Sequence, residues 1–129
     1  MKFKKNRKLL IVGYGQDAKI FISQVNKDNK KIYIITKSKV KSENKNVIFK
    51  SLRIEDKNAV YNYLKKFKNL DIYFFATHNL SSSQEESSLI IAKNFETNVI
   101  SLTNFLEFIS DNKNNNNKLF YACSSHIFE

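Results

Sequence analysis

Proline and tryptophan are absent from this 129-residue chain, cysteine occurs once and glycine only twice. A single cysteine, Cys123, excludes an internal disulfide and fits a reducing compartment. No uncharged apolar run reaches the roughly 18 residues that a membrane-spanning helix needs. The basic start, Met1 to Lys8, is followed by an apolar run, Leu9 to Val12, that is too short for a signal-peptide core. These absences lead us to expect a cytoplasmic protein with one domain over residues 1–129 and no membrane association. Acidic residues are also scarce: 12 Asp+Glu stand against 22 Lys+Arg, a net charge of +10. Such a balance can serve nucleic acid. Here, however, the lysines are dispersed through every segment, and Lys, Asn, Ile and Phe abound as in an AT-rich coding bias. The aromatics fall mostly on core positions rather than between lysines on one face, so no nucleic-acid partner is expected. Attraction of a phosphate-bearing ligand stays open.

The apolar residues are arranged in alternating patterns. Lys8-Leu9-Leu10-Ile11-Val12 is a continuous apolar run, as in a strand buried on both faces. Ala18, Phe21, Ile22 and Val25 then recur at helical spacing. Ile32 to Thr36 is a second strand, residues 37–46 read as a loop, and Val47-Ile48-Phe49 is a brief third strand. Val60, Leu64 and Phe67 line a second helix with Asp56 as its cap. Leu70 to Ala76 is a fourth strand. A long helix reaches about Ser110, with Phe95, Val99, Leu102, Leu106 and Ile109 recurring every three or four residues. Asp111 to Asn117 is an asparagine-rich linker, and Leu119 to Cys123 a fifth strand. The order β-α-β-β-α-β-α-β predicts an α/β, Rossmann-like three-layer fold with about five parallel strands in the order 3-2-1-4-5.

Both glycines fall in one loop, Gly13-Tyr14-Gly15-Gln16-Asp17-Ala18, which matches G-x-G-x-x-G/A between the first strand and the first helix. Gly13 permits the tight turn, Gly15 lets the backbone approach a pyrophosphate, and Ala18 keeps helix and strand close. The helix N-terminus would meet the phosphates with free N–H groups. The alternative is a plain tight turn in a flavodoxin-like domain. Cofactor type is read about 20 residues on, at the end of the second strand. There Ile35-Thr36-Lys37-Ser38-Lys39 offers no acid, and Lys37 or Lys39 could meet a 2′-phosphate. NADP is therefore the expected cofactor, with NAD the alternative if these are merely solvated lysines. His78, at the edge where ligands bind in such sheets, reads equally as a cofactor-facing or a solvated residue.

These motifs, in this order, resemble the extended short-chain dehydrogenase/reductase family, and within it the GDP-mannose 4,6-dehydratases. Gly15-Gln16-Asp17-Ala18 resembles the G-Q-D-G of that group's loop, with the last glycine changed. Ser51-Leu52 falls where the family has Asp-Leu against the adenine, so the acid is lost. Tyr73 to His78 is similar to Y-N-L-A-A-Q, which places Ala76 and His78 beside the nicotinamide ribose. Asn98 to Ile109 is similar to the family's N-x-x-G-T-x-x-L-L-E-A-I helix, and Phe120 to Glu129 to its F-Y-Q-A-S-T-S-E-L-Y-G strand.

The resemblance implies a cofactor held by Gly13, Gly15, Gln16, Asp17, Lys37, Leu52, Ala76 and His78. It implies a nucleotide-sugar substrate, with Ser124 on the sugar 4-oxygen. His126 stands where the family has the glutamate that serves as base for water elimination. The family's Tyr-x-x-x-Lys pair belongs beyond Glu129, and so does its sugar-binding region, so the chain is expected to be truncated and inactive alone. Tyr61 and Lys65 share that spacing but precede the fourth strand, and we read the match as accidental. The competing expectation is a truncated or decayed module that binds a nucleotide without turnover, or binds nothing. Without its covering neighbour, the fifth strand would be an apolar edge inviting homo-oligomerisation or aggregation. No metal ligand set is expected.

Overall fold

Three apolar runs form the middle of the sheet. In a computed structural model describing residues 7–25, 31–76 and 88–121, they become β1 (Lys8–Val12), β2 (Ile32–Thr36) and β4 (Leu70–Phe74). β3 (Val47–Ser51) and β5 (Lys118–Tyr121) complete a sheet in the order β3-β2-β1-β4-β5. All four pairings are parallel, with Leu10 opposite both Tyr33 and Ile72, and Val12 opposite both Ile35 and Phe74. This is the expected Rossmann-like order.

Alternation along the central strands makes two cores. Leu9, Ile11, Ile32 and Ile34 point to the face covered by α1 (Gln16–Val25), where Ala18 and Val25 are buried. Leu10, Val12, Ile35, Ile72 and Phe74 point to the other face. That face is covered by α2 (Lys57–Leu64) and α3 (Ser88–Asp111), through Val60, Leu64, Phe105 and Phe108. Helices on both faces explain why these strands carry almost no polar residue.

Local signals fix the ends of the elements. Asp56 caps α2, its carboxylate accepting from Asn58 and Ala59 N–H at 3.1 and 3.2 Å. Phe67 lies beyond the end of α2 but is buried. The segment between β2 and β3 contains no helix; Ser42 and Asn44 bend it through side-chain contacts to backbone.

Two expectations change. The stripe of α3 chosen by periodicity is only partly its buried face: Leu102 and Ile109 pack against the core, but Phe95 is 70% exposed and Val99 and Leu106 are about half exposed, while Ser101, Asn104, Phe105 and Phe108 are buried. The polar Ser101 and Asn104 are satisfied there, by Thr97 O and Ile54 O respectively, so the face is apolar in effect but not in sequence. The asparagine-rich segment is also not a free linker. It forms a short 3-10 turn (Lys113–Asn115), Asn117 Oδ1 accepts from Leu70 N–H, and Asn115 O accepts from Asn69 N–H. No helix among the described residues is long and apolar enough to cross a membrane.

Candidate functional site

The strand order reverses beside β1, and the carboxyl ends of β1, β2 and β4 converge there on a cavity of about 260 Å³. In open α/β sheets this switch point is where ligands bind. Gly13, Tyr14 and Gly15 form one side of the cavity and Ile35, Thr36 and Lys37 another. Leu52 and Ile54 enter from the segment after β3, and Phe75 and Ala76 from the end of β4.

The two glycines have different physical reasons. Gly13 has φ +97°, a conformation L residues rarely adopt, and a β-carbon there would lie 2.8 Å from Ala76 N. Its own N–H donates to Ile35 O, while Phe75 N–H donates to Val12 O, both at 2.8 Å, so the loop leaves β1 only after the sheet pairing has been extended on both sides. Gly15 has nothing within 4 Å of its β-carbon position. No contact among the described residues requires glycine there; what the missing side chain leaves is access to backbone.

That backbone opens α1. Lys19 N–H donates to Gly15 O at 3.0 Å as the first intrahelical bond, so helix geometry leaves the N–H groups of Gln16, Asp17 and Ala18 without an intrahelical acceptor. Ala18 is buried in the core that holds Ile11 and Ile34, which keeps α1 close to β1. Together these features fit a bound diphosphate: an open glycine, a helix N-terminus with its positive dipole end, and adjoining apolar walls.

The cavity therefore brings together Gly13, Gly15, Lys37, Leu52 and Ala76. Gln16 and Asp17 sit on the exposed first turn of α1 and do not line it. His78, Cys123, Ser124 and His126 lie outside the described residues. Tyr61 is far from this chemistry: its hydroxyl donates to Asp111 Oδ2 at 2.8 Å, and its ring packs on Phe108 between α2 and α3. Burial, and then that hydrogen bond, push its phenol up to about 12, the wrong direction for a proton acceptor near neutrality. Among the described residues no group of three or more His, Cys, Asp or Glu could hold a metal ion.

Glu55, which the sequence reading passed over, also bears on the site. Glu55 Oε1 lies 3.7 Å from Lys37 Nζ, and Glu55 Oε2 lies 3.7 Å from Arg53 Nε. The end of β2 thus has an acid beside it after all, delivered from the turn after β3. Only the run Arg53-Ile54-Glu55-Asp56 before a helix hinted at it. Ser51, in the place of the family's adenine-site acid, donates its hydroxyl to Lys37 O at 3.0 Å and does not line the cavity.

No family model and no curated protein sequence matches the chain. Solved structures do. Uronate dehydrogenase from Agrobacterium tumefaciens superposes with a TM-score of 0.67 at 18% identity, over 94% of this chain and 42% of that one. A UDP-glucose 4-epimerase gives 0.70 at 13% identity, over 92% of this chain and 36% of that one. A short-chain dehydrogenase from Leptospira borgpetersenii, solved with bound NAD+, gives 0.69 at 9% identity, over 94% and 55%. At such identities the likeness is one of fold. The chain spans 36–55% of the length of these three proteins.

Proposed function

We propose that this chain is the NAD(P)-binding portion of an enzyme of the extended short-chain dehydrogenase/reductase type, acting on a nucleotide sugar. The observation that carries the reading is Gly15: a glycine that no contact among the described residues requires, at the N-terminus of α1 and on the wall of the cavity. In this reading the α1 N-terminus and the Gly13–Gly15 backbone bind the pyrophosphate. Leu52 and Ile54 flank the adenine, Lys37 faces the adenosine ribose, and Ala76 borders the nicotinamide half. Three of the matching folds are a dehydrogenase, an epimerase and an NAD+-bound short-chain dehydrogenase, all consistent with that assignment.

Lys37 favours NADP over NAD, because the ammonium of a lysine that lines the cavity would pair with a 2′-phosphate but gains little from a 2′-hydroxyl. The finer assignment, to a GDP-mannose 4,6-dehydratase-like enzyme, rests on Gly15-Gln16-Asp17 and on the resemblance of residues 120–129. In such an enzyme the bound nicotinamide supplies reversible hydride acceptance from the sugar. Ser124 would hydrogen-bond the sugar 4-oxygen and His126 would act as the base, a role an imidazole can fill near neutral pH.

A second reading is a nucleotide-binding module without turnover. Ser51 favours it, since its hydroxyl is turned to Lys37 O where the family has an acid for the adenine. Titration of NADPH and NADH into the 129-residue chain tests both readings. Micromolar binding with NADPH preferred supports the cofactor site; binding by a longer chain that still does not turn over a nucleotide sugar favours the module. A folded chain that binds neither nucleotide would overturn both.

A further inference from the structure

The cavity wall beside Lys37 is backed by a carboxylate whose backbone is held from three directions. Glu55 lies in the turn Arg53–Asp56, closed by Asp56 N–H donating to Arg53 O at 3.1 Å. Ile54, inside that turn, is buried, and its carbonyl accepts from the buried Asn104 Nδ2 of α3 at 2.9 Å. Asp56 is committed to capping α2. The turn has little freedom left, so the backbone aims Glu55. Its two oxygens are divided between two cations, Oε1 toward Lys37 and Oε2 toward Arg53, each at 3.7 Å. Lys37 lines the cavity, and Glu55, which does not, stands 3.7 Å from its ammonium.

We propose that Glu55 is a positioning residue that grades how strongly this site discriminates a 2′-phosphate from a 2′-hydroxyl on the adenosine ribose. The inference rests on the cofactor reading above. A 2′-phosphate carries between one and two negative charges near neutrality. Lys37 attracts it, and Glu55, one contact further back, repels it while offsetting part of the lysine's charge. A 2′-hydroxyl carries no charge and feels neither effect strongly. The carboxylate therefore lowers the affinity for the phosphorylated cofactor selectively, and leaves a site that accepts both forms rather than NADP alone. Because the Lys37 side chain is more than half exposed, solvent limits the effect to the range of exposed ion pairs.

The test is titration of NADPH and NADH, which differ only at that position, into wild type, E55Q, E55D and the pair K37A and K37A/E55Q, with circular dichroism to establish folding. E55Q is expected to tighten NADPH about three- to fivefold and leave NADH unchanged. E55D, which keeps the charge, should stay near the wild-type ratio. In the K37A background the E55Q gain should shrink, since no ammonium is left to unmask. A merely structural role would move both cofactors together. An E55Q variant that binds both with the wild-type ratio, or with equal losses, overturns the role of Glu55 alone. A folded wild type that binds neither cofactor overturns the cofactor reading and this inference with it.

Discussion

A β-carbon on Gly13 would lie 2.8 Å from the backbone nitrogen of Ala76 and 2.9 Å from its Cα. The first residue after β1 is thus pressed against the end of β4, and the obstacle is backbone, which cannot swing aside. Gly13→Ala also has to hold φ near +97°. Strain at such a dihedral costs about 1–3 kcal/mol, and the clash adds to it. Gly15→Ala meets neither problem: apart from its chain neighbours, no atom of the described residues lies within 4 Å of the new methyl. At a helix N-cap that change costs up to about 1 kcal/mol. The expected outcome is a crossover. G13A loses much of its stability in urea, whereas G15A melts close to wild type but binds NADPH at least about tenfold more weakly, because its methyl occupies the space a phosphate would use. Equal binding by G15A and wild type would remove the main support for the cofactor site.

At the opposite end of the sheet, Arg7 Nε lies 2.7 Å from Asp71 Oδ1, and both side chains are buried. The same guanidinium donates to Leu70 O and Asn116 O at 3.0 Å, tying the start of β1 to β4 and to the segment before β5. Removing one partner of a buried ion pair leaves the other charge unpaired, which costs about 3–5 kcal/mol. R7M and D71L should each destabilise on that scale. The double variant R7M/D71L should recover part of the loss, since no isolated charge is left. Denaturant midpoints for the four proteins, at low and at high salt, test this. A loss that disappears in high salt would mean that the pair is solvated rather than buried.

Burial pushes the Tyr63 phenol up to about 12 from its ordinary 10.0. The sign of the consequence follows from linkage. Below pH 10 the phenol is protonated in both folded and unfolded chains and contributes no pH dependence. Between about 10 and 12 the unfolded chain releases its proton while the folded one retains it, so stability falls by at most about 1.4 kcal/mol per pH unit for this group. Above that window the loss levels off. The denaturation midpoint, followed from pH 9 upward, should therefore fall above about pH 10 in wild type and fall less in Tyr63→Phe. Identical profiles for the two would show that Tyr63 ionises equally in both states.

The parts of this fold that could be read from sequence are those where one residue type answers one local demand. β1, β2 and β4 announce themselves because strands covered on both faces need apolar side chains at nearly every position. The glycine loop does so because a chain with two glycines places both at the turn that needs them. What escaped the sequence is non-local. Asp71 interrupts an apolar run, and its partner lies 64 positions away. The buried face of α3 is disguised by Ser101 and Asn104, whose polar atoms are satisfied by Thr97 and Ile54. Of the residues expected to hold a cofactor, Gly13, Gly15, Lys37, Leu52 and Ala76 converge on one cavity. Glu55 was not legible, because periodicity says nothing about which turn a distant carboxylate is held against.

β5 pairs, among the described residues, only with β4, and its outer side is a sheet edge. Phe120 and Tyr121 remain 45% and 44% exposed on that strand, although Phe120 stacks on Tyr73 with ring centroids 4.7 Å apart. An edge with free backbone groups and large apolar side chains pairs readily with another edge. We therefore expect the isolated 129-residue chain to dimerise or aggregate at micromolar concentration. Phe120→Lys should shift it toward monomer, since a lysine on an edge strand opposes pairing. Sedimentation equilibrium across a concentration series measures both. The net charge of +10 opposes association at low salt, so the association should strengthen as salt screens it. A wild-type chain that stays monomeric at every salt concentration, with a cooperative melt, would show that β5 is protected in a way its exposed aromatics do not suggest.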